Sequence, residues 1–355
     1  MIDYCGAPTS DEVEVVVFGP GYGEAIAVHL GEGHWLLADS CIDPNTKRPA
    51  SLSYLECIGV DPINVKVVVA THWHDDHVRG ISAIARACKE AEFNFSGAFT
   101  KKEAVTLLAA YSGSVAPALS RGTSELFAVM TERAEMFHLH HRSIVYEFTG
   151  PGGRRVNVTA LSPSQAAVTQ SVAYMAQYLP SSGKTYGNVV AMKPNLEAVV
   201  LHIDFGDDAI LLGADLEEHA EFGWAAIAGD AWSGARRPSS AYKVAHHGSH
   251  TGDSELVWTR LLLPETVAAI TPFNHGAQRL PTDADRARIK GRAQRAFISS
   301  RAGRRPRMDS VTLKRLGDVV DNLAPVNNGF GAIRMRKARS ATEWSVTCFG
   351  DAHAL

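Results

Sequence analysis

Ala70-Thr71-His72-Trp73-His74-Asp75-Asp76-His77 contains three histidines and two aspartates, side chains that commonly bind metal ions, and four of them follow the order His-x-His-x-Asp-His. The segment continues the apolar run Val65-Lys66-Val67-Val68-Val69-Ala70, which is rich in β-branched residues and predicts a buried parallel strand. Its first two histidines are two residues apart and therefore project to the same side of an extended chain. Its last aspartate and last histidine follow where the chain turns toward a helical pattern. With this arrangement the segment can supply ligands to two neighbouring metal pockets.

Imidazole and carboxylate ligands at the end of a rigid strand suit zinc, manganese or iron. A structural zinc site would more often contain paired cysteines, whereas this chain has five scattered ones. Their odd number and wide spacing predict reduced thiols in a cytosolic protein. A lone histidine would be interpreted as part of a polar loop, but the order His-x-His-x-Asp-His favours a metal site. The cysteines are Cys5, Cys41, Cys57, Cys88 and Cys348.

The histidine segment resembles the signature of hydrolases with the metallo-β-lactamase fold, and other motifs resemble the hydrolase domain of the DNA-uptake protein ComEC. That subgroup begins with a strand and a Gly-x-Gly-Asp-Ala turn. Gly21-Tyr22-Gly23-Glu24-Ala25 matches this turn, except that glutamate replaces aspartate. Trp35-Leu36-Leu37-Ala38-Asp39 is similar to a strand whose final carboxylate, in the family, orients the histidine loop from behind.

Three later motifs extend the resemblance over roughly residues 12 to 300. The run from Asn195 to Leu201 is similar to an Asn-x-x-Ser-Val-Val-Leu strand, which occupies the place of the third histidine ligand in other branches. The run from Ala209 to Glu217 is similar to a strand that ends in a metal-bridging aspartate, here Asp215, with Ala214 in place of glycine. Lys243-Val244-Ala245-His246-His247-Gly248-Ser249 resembles the Lys-Val-x-His-His-Gly-Ser motif of the subgroup.

The resemblance implies an α/β protein in which two mixed sheets form an αββα sandwich with outer helices and a metal site at one edge. It implies two divalent ions, zinc or manganese, bridged by Asp215 and a water. Of His246 and His247, His247 is the expected metal ligand, and His246 is expected to support it from behind. Asp76 and His247 are the expected catalytic residues. The expected metal ligands are His72, His74, Asp76, His77, Asp215 and His247.

The sequence does not decide which group is the third ligand of the pocket that contains His72 and His74. Asn195 or a water would complete it, and three histidines farther along the chain are alternatives. The sequence before those histidines has the pattern of an exposed helix end, which favours a role outside the site. They are His138, His140 and His141.

A water activated by the two ions would be the nucleophile, and Asp76 is best placed to orient it. The sequence indicates no serine or cysteine nucleophile with its own base. Three residues near His247 are candidates for substrate contacts or for proton transfer to the leaving group. They are Lys243, Ser249 and His250.

The stretch from Asp283 to Arg315 is rich in arginine, although the whole chain has a net charge of −3. Such a local excess is typical either of a solvated helix or of a surface that binds a polyanion. Together with the resemblance, it favours a phosphodiester substrate, including nucleic acid, and a nuclease or phosphodiesterase activity. The candidate contacts are Arg288, Arg292 and Arg295.

Two other function classes remain open. The same ions would polarise a carbonyl group, so a hydrolase of a small-molecule ester, lactone, thioester or lactam is the first alternative. A non-catalytic sensor module, or a hydrolase activated by a protein partner, is the second.

Composition and length agree with a folded enzyme. An apolar content of 45% and a nearly balanced charge argue against disorder and against a globally basic nucleic-acid protein. No apolar run approaches the roughly 20 residues that a bilayer span needs, and no signal peptide is visible, so we expect a cytoplasmic protein without a membrane segment. We expect a hydrolase domain over residues 1–325, with 92–190 as intervening helices and loops that flank the site, and a β-hairpin extension over residues 326–355.

Local patterns predict several further elements. Residues 102–111 and 123–136 have helical spacing, and residues 156–161 predict a strand. Residues 282–296 follow Pro281 and predict a capped helix. Ser182-Gly183-Lys184-Thr185 lacks the earlier glycine and the preceding strand that a phosphate-binding loop requires.

Overall fold

The computed structural model describes residues 2–98, 121–133, 135–176, 194–275, 278–301 and 329–355. Within these residues the chain forms two eight-stranded sheets and one two-stranded hairpin. Both large sheets are mixed, with parallel strands grouped on one side of each. The predicted fold class, an αββα sandwich of two mixed sheets, is confirmed.

The first sheet contains the strand that precedes the histidine segment. In spatial order its strands are β17 (Ser345–Gly350), β16 (Gly331–Ala338), β1 (Glu12–Gly19), β2 (Ala25–His29), β3 (Trp35–Ala38), β4 (Val65–Ala70), β5 (Glu92–Ser96) and β6 (Phe137–Leu139). β4 has β3 and β5 as parallel neighbours, as the sequence predicted. Val67 and Val69 of β4 pack toward the second sheet and Val68 packs toward the outer helices, so both faces of the strand are buried.

The second sheet carries the other metal-binding motifs. In spatial order its strands are β18 (His353–Ala354), β15 (Arg295–Ile298), β12 (Leu262–Ile270), β11 (Ser239–Lys243), β10 (Ala209–Leu212), β9 (Leu201–Asp204), β8 (Arg155–Ala160) and β7 (Ile144–Thr149). The separate hairpin consists of β13 (Phe273–His275) and β14 (Gln278–Leu280).

The two sheets bury one apolar core between them. Leu36 and Val67 from the first sheet belong to the same buried cluster as Ile203 and Ile210 from the second. Each strand also turns its alternate residues outward, where Leu37 and its neighbours meet the outer helices. Because both faces of these strands are buried, their sequences are continuous apolar runs.

Helices cover the outer face of each sheet. Ile81 and Leu126 pack with the first sheet, whereas Trp224 and Ile289 pack with the second. None of the described helices is long and apolar enough to cross a membrane. The described helices are α1 (Ala50–Cys57), α2 (Asp75–Val78), α3 (Ile81–Ala87), α4 (Arg121–Glu132), α5 (Gln165–Ala176), α6 (Trp224–Ala228), α7 (Ala231–Gly234) and α8 (Asp283–Arg292).

Two predicted elements differ from the structure. The helix predicted over residues 282–296 is too long, because α8 ends at Arg292 and β15 begins at Arg295, where the chain pairs with β12. Its start is as predicted, since Thr282 and Asp285 form a capping box. The strand predicted from Asn195 begins only at Leu201, because residues 194–197 form a turn of 3-10 helix.

Other local predictions are confirmed or lie outside the described residues. The strand predicted over residues 156–161 is β8, and the helix predicted over residues 123–136 is α4 with shifted ends. The predicted C-terminal hairpin is formed by β16 and β17, and β16 pairs along the whole of β1. The segments 102–111 and 182–185, and residues 302–315 of the arginine-rich stretch, lie outside the described residues.

Candidate metal centre

The metal-binding motifs come together where several strands end. The histidine segment follows β4, Asp215 follows β10 and His247 follows β11. Strands β10, β11 and β12 are parallel, so their carboxyl ends lie at one edge of the second sheet. The sandwich brings this edge against the end of β4, which belongs to the first sheet.

Four buried side chains form the centre of the site. One ligand atom from each of Asp76, His77, Asp215 and His247 lies within 4.8 Å of every other. The Asp215 Oδ2 atom is 3.3 Å from His77 Nε2 and 3.2 Å from His247 Nε2. The Asp76 Oδ2 atom is 3.2 Å from His247 Nε2. We call these four residues the buried cluster.

The buried cluster fits a divalent cation. Two imidazoles and two carboxylates are a donor set that zinc and manganese accept. His77 Nε2 and Asp215 Oδ1 are buried without a hydrogen-bond partner, which is costly for polar atoms unless a ligand satisfies them. A cation held by the four side chains would satisfy both atoms.

The charges around the buried cluster also favour a cation. Burial alone would lower the pKa of His247, but the carboxylates of Asp215 and Asp76 raise that pKa to about 9. Burial likewise opposes protonation of His77, yet the neighbouring aspartates, Asp215 first, raise its pKa well above the ordinary value. The carboxylates therefore create a negative potential at the place where a metal ion would sit.

Asp39 supports the histidine segment from below. Its carboxylate accepts hydrogen bonds from the Thr71 backbone N–H at 2.7 Å and from the Thr71 hydroxyl at 2.8 Å. It also lies 2.7 Å from His77 Nδ1, so the opposite ring nitrogen of His77 faces the buried cluster. This is the orienting position that the resemblance implied for Asp39.

His72 and His74, two of the predicted metal ligands, lie beside the buried cluster but are not members of it. His72 Nε2 is 3.1 Å from His74 Nδ1, and the ring of His72 is 4.2 Å from that of His77. Burial, reinforced by the neighbouring histidines, lowers the pKa of His72 well below the ordinary value. A neutral imidazole is the form that binds metal.

Asn195 and Glu217 line the same cavity as His74 and are candidates to complete this second pocket. The Asn195 amide donates to Glu217 Oε1 at 2.8 Å, while its own Oδ1 is buried without a hydrogen-bond partner. Glu217 was not singled out from the sequence. Its position two residues after Asp215, at the end of the same strand motif, is the signal that could have identified it.

The cavity above the site has a volume of about 910 Å³, which is in the range of sites for small organic ligands. Tyr22, Trp73 and Phe273 form aromatic parts of its wall. Phe273 belongs to the β13–β14 hairpin, and its ring lies 5.2 Å from that of His247. Among the described lining residues, Arg279 of the same hairpin is the only lysine or arginine. The sequence did not point to this hairpin.

Ser249 and His250 line the cavity, as a role in substrate binding requires. Lys243 does not line it: its side chain is fully buried beneath the site, so a substrate cannot reach it. The three alternative histidines also lie elsewhere, since none of them lines the cavity. They are His138, His140 and His141.

None of the predicted arginine contacts lines the cavity, and each is engaged with another part of the chain. Arg288 lies 2.6 Å from Asp285 Oδ1, and Arg292 lies 2.6 Å from Glu255 Oε2. Arg295 donates to the Trp344 carbonyl oxygen at 2.9 Å. Helix α8 therefore presents arginines that acidic neighbours partly neutralise.

Comparison with known proteins agrees with the fold. The sequence profile of the metallo-β-lactamase superfamily matches residues 18–154, which include the histidine segment but neither Asp215 nor His247. No curated protein matches the chain. The chain has the metallo-β-lactamase fold.

Solved structures of this fold are distant in sequence. The metallo-β-lactamase fold protein YhfI from Bacillus subtilis is 12% identical, with 83% of this chain and 98% of that chain covered and a TM-score of 0.43. The Cronobacter sakazakii metallo-β-lactamase with a HARLDQ motif is 15% identical, with 66% and 75% covered and a TM-score of 0.34. The metallo-β-lactamase SMB-1 in complex with mercaptoacetic acid is 16% identical, with 69% and 82% covered and a TM-score of 0.35.

Proposed function

We propose that this chain is a metal-dependent hydrolase that cleaves a compact phosphodiester. The observation that carries the proposal is the buried cluster, in which two histidines and two aspartates from three separate parts of the chain converge at the floor of a cavity. The resemblance of the surrounding motifs to the ComEC hydrolase domain supports a phosphodiester substrate.

The side chains would provide for two cations. Asp76, His77, Asp215 and His247 would hold one ion. His72 and His74 would contribute ligands to a second ion beside it. When bound, divalent cations would lower the pKa of a water molecule and neutralise charge on the substrate oxygens.

The chain itself supplies orientation and proton transfer. The Asp76 carboxylate is 6% exposed and lines the cavity, so it can accept a hydrogen bond from an attacking water. Ser249 and His250 lie on the cavity wall, where they can donate a proton to the leaving oxygen. Trp73 and Tyr22 offer flat surfaces for an aromatic group of the substrate.

The size and charge of the cavity favour a compact substrate over a long duplex. Arg288 and Arg292 form ion pairs with acidic residues, and neither lines the cavity. Arg279 is the cation that could pair with a further anionic group of the substrate. A dinucleotide or the end of a single strand fits these features better than double-stranded DNA does.

A small-molecule carbonyl compound is the second candidate. The carboxylates of Asp75 and Glu217 line the cavity, and they would repel a highly charged substrate. A neutral ester or lactone would not experience this repulsion. The same cations would polarise its carbonyl oxygen.

The test is hydrolysis by protein reconstituted with manganese or zinc. The substrates are bis-p-nitrophenyl phosphate, a dinucleotide, single- and double-stranded DNA, and p-nitrophenyl acetate. Asp76→Ala is the inactive variant, and Asp207→Ala, at an exposed loop position, is the matched control. Phosphodiester cleavage that requires metal and Asp76 supports the proposal. Cleavage of the ester alone would favour the second candidate, a hydrolase of a small-molecule carbonyl compound. No cleavage of any substrate by the metal-loaded protein would indicate that a partner activates it.

A further inference from the structure

A buried ion pair lies directly beneath the metal centre. Lys243 Nζ is 2.5 Å from Glu24 Oε2, and both side chains are completely shielded from solvent. The two residues come from different sheets, Glu24 from the turn before β2 and Lys243 from the end of β11. Taking two charges out of water is costly, so such a pair calls for an explanation.

Lys243 contacts the segment that carries Asp215. Its ammonium group donates to the Ala214 carbonyl oxygen at 3.1 Å and lies 3.9 Å from Asp215 Oδ1. Ala214 has a left-handed backbone conformation, with a φ angle of 45°, which is unfavourable for a residue with a Cβ atom. The lysine therefore holds a strained turn in place and turns a positive charge toward the bridging carboxylate.

Glu24 contacts the segments that carry Asp76 and His247. Its backbone N–H donates to the Asp76 carbonyl oxygen at 2.8 Å. Its carboxylate accepts a hydrogen bond from the Thr271 hydroxyl. The carbonyl and hydroxyl oxygens of Thr271 lie 3.1 and 3.3 Å from His247 Nδ1.

We propose that Glu24 and Lys243 are positioning residues that hold Asp76, Asp215 and His247 in the geometry required for metal binding. The side chains of the pair bond to the segments that carry Asp215 and His247. The ion pair also anchors the turn at Glu24, whose backbone N–H bonds to the segment that carries Asp76. It acts through the ligands and does not touch the substrate. This inference rests on the metal centre of the proposed function, but not on the identity of the substrate.

The competing explanation is that the pair serves folding alone. Removing one partner of a buried ion pair leaves an uncompensated charge and destabilises a protein, whereas removing both charges is often nearly neutral. A double variant can therefore regain stability. If the pair positions the ligands, the double variant will fold but will still bind metal weakly, because the bonds to Ala214 and Thr271 are changed.

The experiment compares Lys243→Met, Glu24→Gln and the double variant with the unsubstituted protein. Unfolding of the metal-free proteins in urea measures stability, and titration with Co²⁺ followed by visible absorption measures affinity and ligand geometry. The matched control is the partly exposed ion pair of Lys337 and Asp208, 2.7 Å apart and outside the metal centre, replaced by Lys337→Met and Asp208→Asn.

We expect the double variant to bind Co²⁺ about 10–100-fold more weakly and with an altered absorption spectrum, as is typical when a partner of a metal ligand is lost. The control variants should bind Co²⁺ like the unsubstituted protein. Unchanged affinity and spectrum in the folded double variant would overturn the inference. Absence of Co²⁺ binding by the unsubstituted protein would instead reject the metal centre of the proposed function.

Discussion

His246 and His247 are neighbours in the chain, yet their rings face different partners. His247 Nε2 lies 3.2 Å from both Asp76 and Asp215, whereas His246 Nδ1 lies 2.8 Å from the Thr251 hydroxyl oxygen. Both residues have left-handed backbone conformations, with φ angles of 47° and 52°. Such strain persists where tertiary contacts stabilise it, and it is frequent at functional sites.

This difference predicts unequal effects of two adjacent substitutions. His247→Ala removes a member of the buried cluster and should reduce hydrolysis and metal binding by more than about 100-fold, beyond the usual loss for a supporting residue. His246→Ala should cost at most about 10–100-fold, since His246 supports the site through Thr251 and Asn195. Metal content and turnover, measured with circular dichroism as a check on folding, test this order. Equal losses in the two variants would contradict it.

Asp39 should determine metal affinity through His77. Asp39→Asn retains the size of the side chain but removes the charge that fixes the His77 ring. We expect metal affinity to fall roughly 10–100-fold with the fold preserved. Competition with a chromophoric chelator measures this affinity. Asp43→Asn, a substitution of another mostly buried aspartate, serves as control and should bind metal normally.

Arg279 should contribute to substrate binding when the substrate carries a second anionic group. Arg279→Gln should raise KM for a dinucleotide about tenfold, a change in binding free energy of about 1.4 kcal/mol. Arg292→Gln should leave KM unchanged, because Arg292 is engaged with Glu255 outside the cavity. Steady-state kinetics of both variants decide the point. A larger increase in KM for Arg292→Gln would indicate that the substrate binds along helix α8.

Glu14 should anchor the C-terminal hairpin to the rest of the first sheet. Its buried carboxylate accepts hydrogen bonds from Tyr54 and, at 2.6 Å, from Arg336 on β16. Glu14→Ala should lower the free energy of unfolding by about 3 kcal/mol, since it leaves both partners unsatisfied. Glu56→Ala, which breaks an exposed pair with Arg48, should cost less than about 1 kcal/mol. Urea unfolding of the two variants measures the contrast.

His29 should make the protein sensitive to acid. The buried ring donates from Nδ1 to the Glu12 carbonyl oxygen and accepts from the Gly33 N–H, and burial lowers its pKa to about 4. Since the unfolded chain takes up this proton near pH 6.5, the contribution of His29 to stability is present above that pH and is lost as the pH falls toward 4.

Because of His29, the free energy of unfolding should fall by up to about 3 kcal/mol between pH 6.5 and pH 4. His29→Gln should abolish this part of the decrease. The comparison is the pH dependence of urea unfolding, with exposed His140→Gln as control. The same pH dependence in His29→Gln and the unsubstituted protein would show that other groups cause the acid sensitivity.

Much of the fold was predictable because local and tertiary preferences agree. The run ending at Ala70 is apolar on both faces of its strand, and the structure buries one face against the second sheet and the other against the outer helices. Where the preferences disagree, prediction was wrong. The helix was predicted to continue to Ala296, but it ends at Arg292, and pairing of β15 with β12 places residues 295–298 in a strand.

The sequence by itself determined which side chains could bind metal, because ligand chemistry and the spacing of the histidine segment are local properties. The resemblance favoured His247 over His246, and the tertiary structure places His247 in the buried cluster while His246 contacts Thr251. The tertiary structure also placed Lys243 against Glu24 rather than against a substrate. Contacts between residues distant in the chain arise from the packing of two sheets, and no local pattern records which strand ends will meet.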